Sequence, residues 1–258
     1  MTDASAGARL RVSIVIPVRD DAPALRRCLD AIAAQTEAPH EVIVVDNGCS
    51  DDSAAVALAA GARVVVEPRR GIPAAASRGY DEASGDVIAR CDADSALPTD
   101  WVERIREAFT TDPALDGLTG PGRFDDLPTW LRAPASITYA FGTFVAGGAA
   151  IANVPLWGSN MAVRRTAWLS VAAHVEREEP DVHDDLDLAM HLGPRARIRF
   201  DPRLRVGAEG RIFRSARAAR ARVAVAMRTF RRNWALGGSP GRRWVARLGG
   251  PDVRRSKL

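Results

Sequence analysis

Lysine is almost missing from this chain of 258 residues: among 36 Lys+Arg the sole lysine is Lys257. With the abundance of alanine this reads as codon usage, and no function follows from it. Cysteine is also scarce. Cys28, Cys49 and Cys91 are odd in number, scattered and without metal-ligand spacing, which excludes a disulfide framework or a zinc site and fits a reduced compartment. The start, Met1–Arg9, is small and polar without an apolar h-region, so no signal peptide is expected and the expected location is cytoplasmic. The closing Ser256-Lys257-Leu258 matches a peroxisomal address in three residues only and is set aside. No long internal repeat is visible. No run reaches the roughly 20 predominantly apolar residues of a spanning helix. The longest, Ala140–Trp157, is interrupted by Asn153 and Pro155 and is expected to be buried or to lie along an interface.

What is present is an ordinary globular composition, 47% hydrophobic and 26% charged, with enough length to bury a full core. The net charge of +4 hides an asymmetry. From Arg195 onward 19 Lys+Arg face 3 Asp+Glu, whereas residues 1–194 carry 17 against 29. The acidic part can hold a cation. The basic part points to an anionic partner such as phosphate, nucleic acid or a membrane surface, or is simply solvated; of these, no nucleic-acid partner is expected once the resemblance given below is weighed.

The stretch Val87-Ile-Ala-Arg-Cys-Asp-Ala-Asp-Ser95 reads as a short buried strand ending in two carboxylates, Asp92 and Asp94. Ligands of open α/β sheets bind outside the carboxyl ends of strands. Acids there are poor core material, and hard cations take oxygen ligands. Asp94 or Ser95 could equally cap a turn. Two further β-branched runs end in acids on what a parallel sheet makes the same rim. Val12–Val18 is followed by Asp20, and Glu41–Asp46 ends in Asp46. Helical spacing recurs between them: Leu25, Cys28, Leu29 and Ile32; a helix capped at Ser50 or Asp51 and running through Ala60; and Ile72–Ala83. Strands alternating with helices imply βαβ units and a mostly parallel central sheet flanked by helices.

Beyond residue 95, Trp101, Ile105, Ala108 and Phe109 mark a further helix and Leu115–Gly120 a strand. Residues Phe124–Pro134 are expected to be loop, Gly158–Val163 a strand and Arg165–Ala173 a helix. A helix opening at Asp184 carries acids in its first turn. Short strands are expected at Arg197–Phe200 and Arg203–Val206. Val223, Met227, Phe230 and Trp234 form the apolar face of a helix whose other face carries Arg217, Arg220, Arg228, Arg231 and Arg232. That helix either packs on the body or lies on an anionic membrane. The expected organisation is one domain, with an α/β half over 1–125 and a second half over 126–207, followed by a basic amphipathic tail over 208–258.

Five segments together resemble the family 2 glycosyltransferases of the GT-A fold: Val12–Val18, Val45–Ser53, Gly85–Asp94, Gly158–Arg165 and His183–Leu188. They recur in family order from about residue 10 to 207. The resemblance implies inverting transfer of a sugar from a nucleotide-diphospho-sugar donor to a hydroxyl acceptor, such as a lipid-linked or polysaccharide precursor, with Mn²⁺ or Mg²⁺. It implies that Asp46 reads the donor's base, that Asp92 contacts ribose or the metal shell, and that Asp94 ligates the metal across the diphosphate. Asp184-Asp185 occupies the family's Glu-Asp site, with Asp185 as catalytic base. Pro17, Val18, Asp20, Ala93 and Asn160 complete the implied substrate contacts.

Where the family often has Arg-Asn, this chain has Ala76-Ser77, so Arg69, Arg70 or Arg78 is expected to supply that phosphate contact. The Gln-x-x-Arg-Trp signature of processive synthases is absent, which favours transfer of one sugar. A sugar-phosphate nucleotidyltransferase would want a Gly-rich basic loop after the first strand and an internal lysine. Pro17-Val-Arg-Asp-Asp21 and the lysine count speak against it. A nucleotide-sugar-binding module without transfer activity would not require Asp185 and Asp187.

Overall fold

The computed structural model describes residues 9–250; the N-terminal residues 1–8 and the Ser256–Leu258 tripeptide lie outside the described residues. The chain opens with β1 (Val12–Val18), α1 (Ala22–Ala33), β2 (Glu41–Asp46), α2 (Ser53–Ala59), β3 (Arg63–Val66), α3 (Ile72–Glu82), β4 (Val87–Arg90) and α4 (Trp101–Thr111). This is the expected alternation. The next elements are β5 (Gly117–Thr119), β6 (Gly122–Arg123), α5 (Thr129–Ala140), a π-helical turn (Phe141–Ala146) and α6 (Gly147–Ile151). Then come β7 (Met161–Arg164), α7 (Arg165–Val171), α8 (Asp184–Leu192), β8 (Ile198–Phe200) and β9 (Val206–Gly207). Finally there are α9 (Arg211–Arg214), α10 (Ala216–Gly237) and α11 (Pro240–Arg247).

Seven strands form one sheet in the order β3-β2-β1-β4-β7-β5-β8. All neighbours are parallel except β7, which runs against both β4 and β5. From β1 the chain moves outward to β2 and β3, then crosses to β4 on the other side. The order therefore reverses between β1 and β4, and such a switch point leaves a crevice outside the strand ends. Pairing of Val18 with Asp46 and of Val15 with Arg90 brings the acid-bearing ends of β1, β2 and β4 to that rim.

β1 shows why its run is β-branched throughout. Ile14, Ile16 and Val18 face one layer with Leu25, Cys28 and Ile32 of α1 and Trp101, Ile105 and Phe109 of α4. Val15 faces the other with Ala75, Ala76 and Tyr80 of α3 and Trp168 of α7. The strand is buried on both faces and cannot alternate in polarity. At Gly79 of α3 a Cβ would collide with the Val15 side chain, so the missing side chain lets the helix lie flush on the sheet.

The structure differs from the sequence expectations in its second half. Residues 129–134 are helix rather than loop, with Pro134 inside α5 on its exposed side, where the ring meets solvent. Of the two placements expected for Ala140–Trp157, burial as a unit does not hold: the stretch begins as the end of α5, the π-helical turn and α6, with Phe141 and Val145 exposed. The strand expected over 203–206 is reduced to the two residues of β9. A small third core of Phe124, Leu127 and Ala135, with Tyr139 and Phe213 against it, joins all three expected segments. On α10 the expected apolar face divides. Phe230 and Trp234 pack on the second core layer, while Val223 and Met227 are exposed.

Candidate active site

The cleft at the switch point has a volume of about 360 Å³. Its floor comes from Pro17 and Val18 of β1, Asn47 after β2, and Asp92, Ala93 and Asp94 after β4. Its far wall is Gly158, Ser159 and the start of α8, His183–Asp185. Tyr139 of α5 and Glu209, Arg211 and Arg222 of the C-terminal segment close it.

Arg90, the last residue of β4, organises the centre. It is 3% exposed, and its Nη1 donates to Asp184 Oδ2 at 2.5 Å and its Nη2 to Asp92 Oδ1 at 3.0 Å. Burial alone would weaken its charge, but Asp184 and its neighbours outweigh that and hold the guanidinium's pKa well above the usual value. A side chain at Gly158 would strike this guanidinium, so a glycine opens the channel through which Arg90 ties β4 to α8. A buried arginine paired on both sides leaves two carboxylates fixed in place, and removing either partner would strand a charge.

Asp92 also accepts from Ser159 Oγ at 2.5 Å, and Ser95 Oγ accepts from the Asp92 N–H at 3.0 Å. The turn-capping role of Ser95 and the placing of the Asp92 carboxylate are thus one arrangement. Asp94 faces a crowd of acids. Burial first, then Asp92, Glu209 and Asp21, push its carboxyl up to about 6 against the pull of Arg211. Arg211 lies 3.3 Å from Asp94 and 3.7 Å from Asp21, and donates to Glu209 at 2.6 Å. A positive group already rests on this cluster, so the donor set suits a cation. Among the described residues no group of three or more His, Cys, Asp or Glu could hold a metal ion. Asp92 and Asp94 could supply only part of a hard-cation shell, and a diphosphate and water would have to complete it, as is usual for Mg²⁺.

Asp184 and Asp185 differ in surroundings. Burial raises the Asp184 carboxyl to about 7, against the pull of Arg90 and with help from Asp185 and Asp92. Asp185 accepts from the Gly158 N–H and the Leu186 N–H, both at 2.7 Å. Asp187 points away, as two residues along a helix requires. It is buried, accepting from the Glu176 N–H and Asn233 Nδ2.

Several other residues singled out in the sequence do not reach the cleft. Asn160 is wholly buried and fully engaged: its Oδ1 accepts from Trp101 Nε1 at 2.9 Å and its Nδ2 donates to the Leu204 carbonyl at 2.6 Å. It braces the core beneath the site, and Gly158 and Ser159 line the cleft in its stead. Asp20 sits at φ +51° and accepts from the Ser50 N–H and Oγ, bonds that lower its pKa. Asp46 accepts from the Cys49 N–H at 2.7 Å. Both acids order the loop after β2. Arg78 pairs with Glu82 at 2.9 Å on the exposed side of α3, and Arg70 is exposed outside the cleft.

Sequence reasoning passed over Arg90, Asn47, Arg211, Arg222 and Tyr139. Arg90 had a signal: it is the one charge in the buried run Val87–Cys91. Asn47 lies inside the segment Val45–Ser53 and has no role assigned from sequence. It is buried and anchors the next loop, donating to the Glu67 and Arg69 carbonyls and accepting from the Gly71 N–H. A larger cavity of about 520 Å³ lies at the other end of α8, among α7, α10 and α11. Its arginines, Arg195 and Arg243, donate to backbone carbonyls, and it holds none of the paired carboxylates.

The family model for Glycosyl transferase family 2 matches residues 13–168. An undecaprenyl-phosphate 4-deoxy-4-formamido-L-arabinose transferase of Sodalis glossinidius (strain morsitans) is 34% identical over 136 residues, 49% of this chain and 41% of that protein. Glycosyltransferase AglE of Haloferax volcanii is 32% identical over 101 residues, 36% of this chain and 33% of that protein. The chain thus matches less than half the length of these relatives. Among solved structures, the mannosyltransferase PcManGT of Pyrobaculum calidifontis, in complex with GDP-Man and Mn²⁺, superposes with a TM-score of 0.70 at 20% identity. That match covers 94% of this chain and 70% of the other. Glucosyl-3-phosphoglycerate synthase of Mycobacterium tuberculosis, in complex with Mn²⁺, UDP and glucosyl-3-phosphoglycerate, gives a TM-score of 0.55 at 19% identity. It covers 94% of this chain and 81% of the other. With a family match over most of its sheet and the same fold as these enzymes, the chain belongs to glycosyl transferase family 2 and has the GT-A fold.

Proposed function

We propose that this protein transfers one sugar, with inversion, from a nucleotide-diphospho-sugar to the oxygen of a lipid-linked acceptor. The observation that carries this reading is the Asp92–Arg90–Asp184 chain. It fixes carboxylates from a strand end and a helix start on opposite walls of one cleft. On the floor, Asp94 and Asp92 are the residues to hold Mn²⁺ or Mg²⁺, which neutralises charge on the leaving diphosphate when bound. On the far wall, Asp185 takes the proton of the attacking acceptor oxygen, a hydroxyl or the remaining P–OH of a singly ionised phosphate. Its two backbone donors hold it in place. The new bond forms between that oxygen and the anomeric carbon as the bond to the diphosphate breaks, through an oxocarbenium-like state. Asp184, clamped by Arg90, positions the acceptor wall.

The lipid-linked acceptor is supported by the relative named for undecaprenyl phosphate and by Arg222. This guanidinium faces the cleft near Tyr139, Asp185 and Asp92 and has no ion pair among the described residues. An unpaired cation in an acidic cleft suits a phosphate. The basic C-terminal segment would hold the enzyme at the inner face of an anionic membrane, where such an acceptor lies.

A thermal-shift screen of nucleotide-sugars with and without Mn²⁺ tests the donor half, because a ligand that binds only the folded state raises stability by RT ln(1 + [L]/Kd). A metal-dependent rise with one class of nucleotide-sugar is expected. A flat response across uridine, guanosine and cytidine donors would overturn the reading.

A further inference from the structure

The helix that forms one wall of the cleft is apolar on the wrong side. Along α5 and the π-helical turn, Trp130, Ala133, Pro134, Ile137, Thr138, Phe141, Gly142, Val145 and Ala146 are exposed on one side, and Thr129 and Arg132 are exposed outside that stripe. They recur at helical spacing over four turns as one continuous stripe. Only Thr138 in that stripe is polar, and none is charged. Trp130 is 75% exposed, Ile137 69%, Phe141 62% and Val145 55%. Single exposed apolar residues are ordinary on a protein surface. A solvent face of four helical turns without a charge is not, and such a patch marks a binding surface.

From this stripe we infer that α5 and the π-helical turn dock flat on an anionic lipid bilayer, with Trp130, Ile137, Phe141 and Val145 immersed at its surface. Charge complementarity identifies the occupant. The small third core sets α5 beside α9 and the start of α10, where Phe213 packs on Phe124 at 5.1 Å and lies 6.5 Å from Tyr139. From Ala216 to Ala224, α10 is exposed at nearly every position. It carries no acidic residue, and Arg217 and Arg220 have no ion pair among the described residues. An apolar stripe flanked by free arginines matches the make-up of interfacial helices, which bind by buried apolar area plus attraction to anionic headgroups. A tryptophan at one end suits the headgroup level.

Two other occupants fit less well. A second copy related by a two-fold axis would set the same arginines against one another without a counter-charge. Threading through the bilayer is excluded for the described residues, since no helix is long and apolar enough to cross a membrane. The docked geometry also has a use. The inward side of the same helix presents Tyr139 to the cleft, so the site would lie about one helix diameter, ~10 Å, from the headgroups. The benefit of that placement rests on the lipid-acceptor reading above; the docking itself does not.

The test is flotation of the full chain, without donor or acceptor, with vesicles of phosphatidylglycerol and phosphatidylcholine and with phosphatidylcholine alone. The wild type is expected to float with the anionic vesicles and to detach as salt rises. Trp130→Ser, Ile137→Ser and Phe141→Ser should each weaken binding about tenfold or more, since each removes one large side chain from the apolar contact. Combined, they should abolish flotation. Arg217→Ala with Arg220→Ala should remove most of the dependence on salt. All these side chains are exposed, so unchanged thermal midpoints and unchanged nucleotide-sugar binding serve as the folding control. The inference is overturned if the triple variant floats as the wild type does, or if the wild type does not float. It is also overturned if the wild type is a dimer that the triple variant converts to monomer. Failure of flotation would leave the donor screen unaffected, and a flat donor screen would leave flotation unaffected.

Discussion

The two walls of the cleft are built on opposite plans. On the donor side the loops after β1 and β2 are held by their own side chains: Asp20 by Ser50, Asp46 by Cys49, and Asn47 by three backbone groups at residues 67–71. On the other side α5 and the start of α10 keep apolar and basic groups in solvent, and Arg222 lines the cleft without an ion pair among the described residues. The first wall is complete in the isolated chain. The second has the composition of a surface that awaits something. In the function proposed above, the first wall takes the donor and the second takes an acceptor delivered from a lipid surface.

The comparison is broken most severely at Asp185. Asp185→Asn should leave donor affinity within a few-fold, by calorimetry, and lower turnover by about 10² to 10⁴. Asp184→Asn tests the other reading of the pair: if it alone shows the large loss with donor affinity kept, the base is Asp184.

Next in size is the donor floor. Asp94→Ala should remove Mn²⁺-dependent affinity for a nucleoside diphosphate while the far-UV spectrum stays unchanged. Unaltered metal dependence would take Asp94 out of the shell.

Asn160 and Arg78 sharpen the contrast between structural and binding roles. Asn160→Ala strands Trp101 Nε1 and the Leu204 carbonyl in the core and should cost about 2–4 kcal/mol in urea unfolding. Arg78→Ala removes one exposed pair and should change stability by less than about 0.5 kcal/mol and donor binding not at all. Weaker donor binding in Arg78→Ala would return to it the phosphate contact expected from sequence.

A separate effect concerns pH, at the start of β2 and so at the opposite end of that strand from the cleft. Burial alone would raise the Glu41 carboxyl, but hydrogen bonds from the Ser84 N–H, the Ser13 and Ser84 hydroxyls and Arg63 outweigh it and lower it from 4.5 to about 2. The folded state thus binds this proton less readily than the unfolded chain. Its stabilising effect is full above about 4.5 and is lost as pH falls toward 2. Glu41→Gln should flatten the stability profile across that window and leave it unchanged in shape above. A wild-type profile already flat between pH 4.5 and 2 would contradict this.

How much of this was legible in the sequence follows the same division. The donor half was read almost element by element, because β-branched runs buried on both faces and Gly- or Pro-marked helix ends are local signals. Asp92, Asp94, Asp184 and Asp185 do line one cleft. Arg90 was missed because its role depends on α8, 94 residues away, although a charge inside a buried strand was the available clue. Asn160 was misplaced because an Asn beside lining residues looks the same whether it faces ligand or core. The α5 region was read as loop because prolines dominate its start, and its stripe escaped notice because apolar periodicity does not say which face is buried.

The central claim is that the cleft transfers sugar rather than merely binding nucleotide. The direct measurement supplies the donor found in the thermal screen, Mn²⁺ and a polyprenyl phosphate in vesicles, and counts nucleoside diphosphate released against glycosylated lipid formed. Equal amounts of both products from the wild type, and neither above background from Asp94→Ala, are the predicted result. Donor that binds with Mn²⁺ while the polyprenyl phosphate remains unmodified and no diphosphate is released would contradict it, and would leave a nucleotide-sugar-binding module.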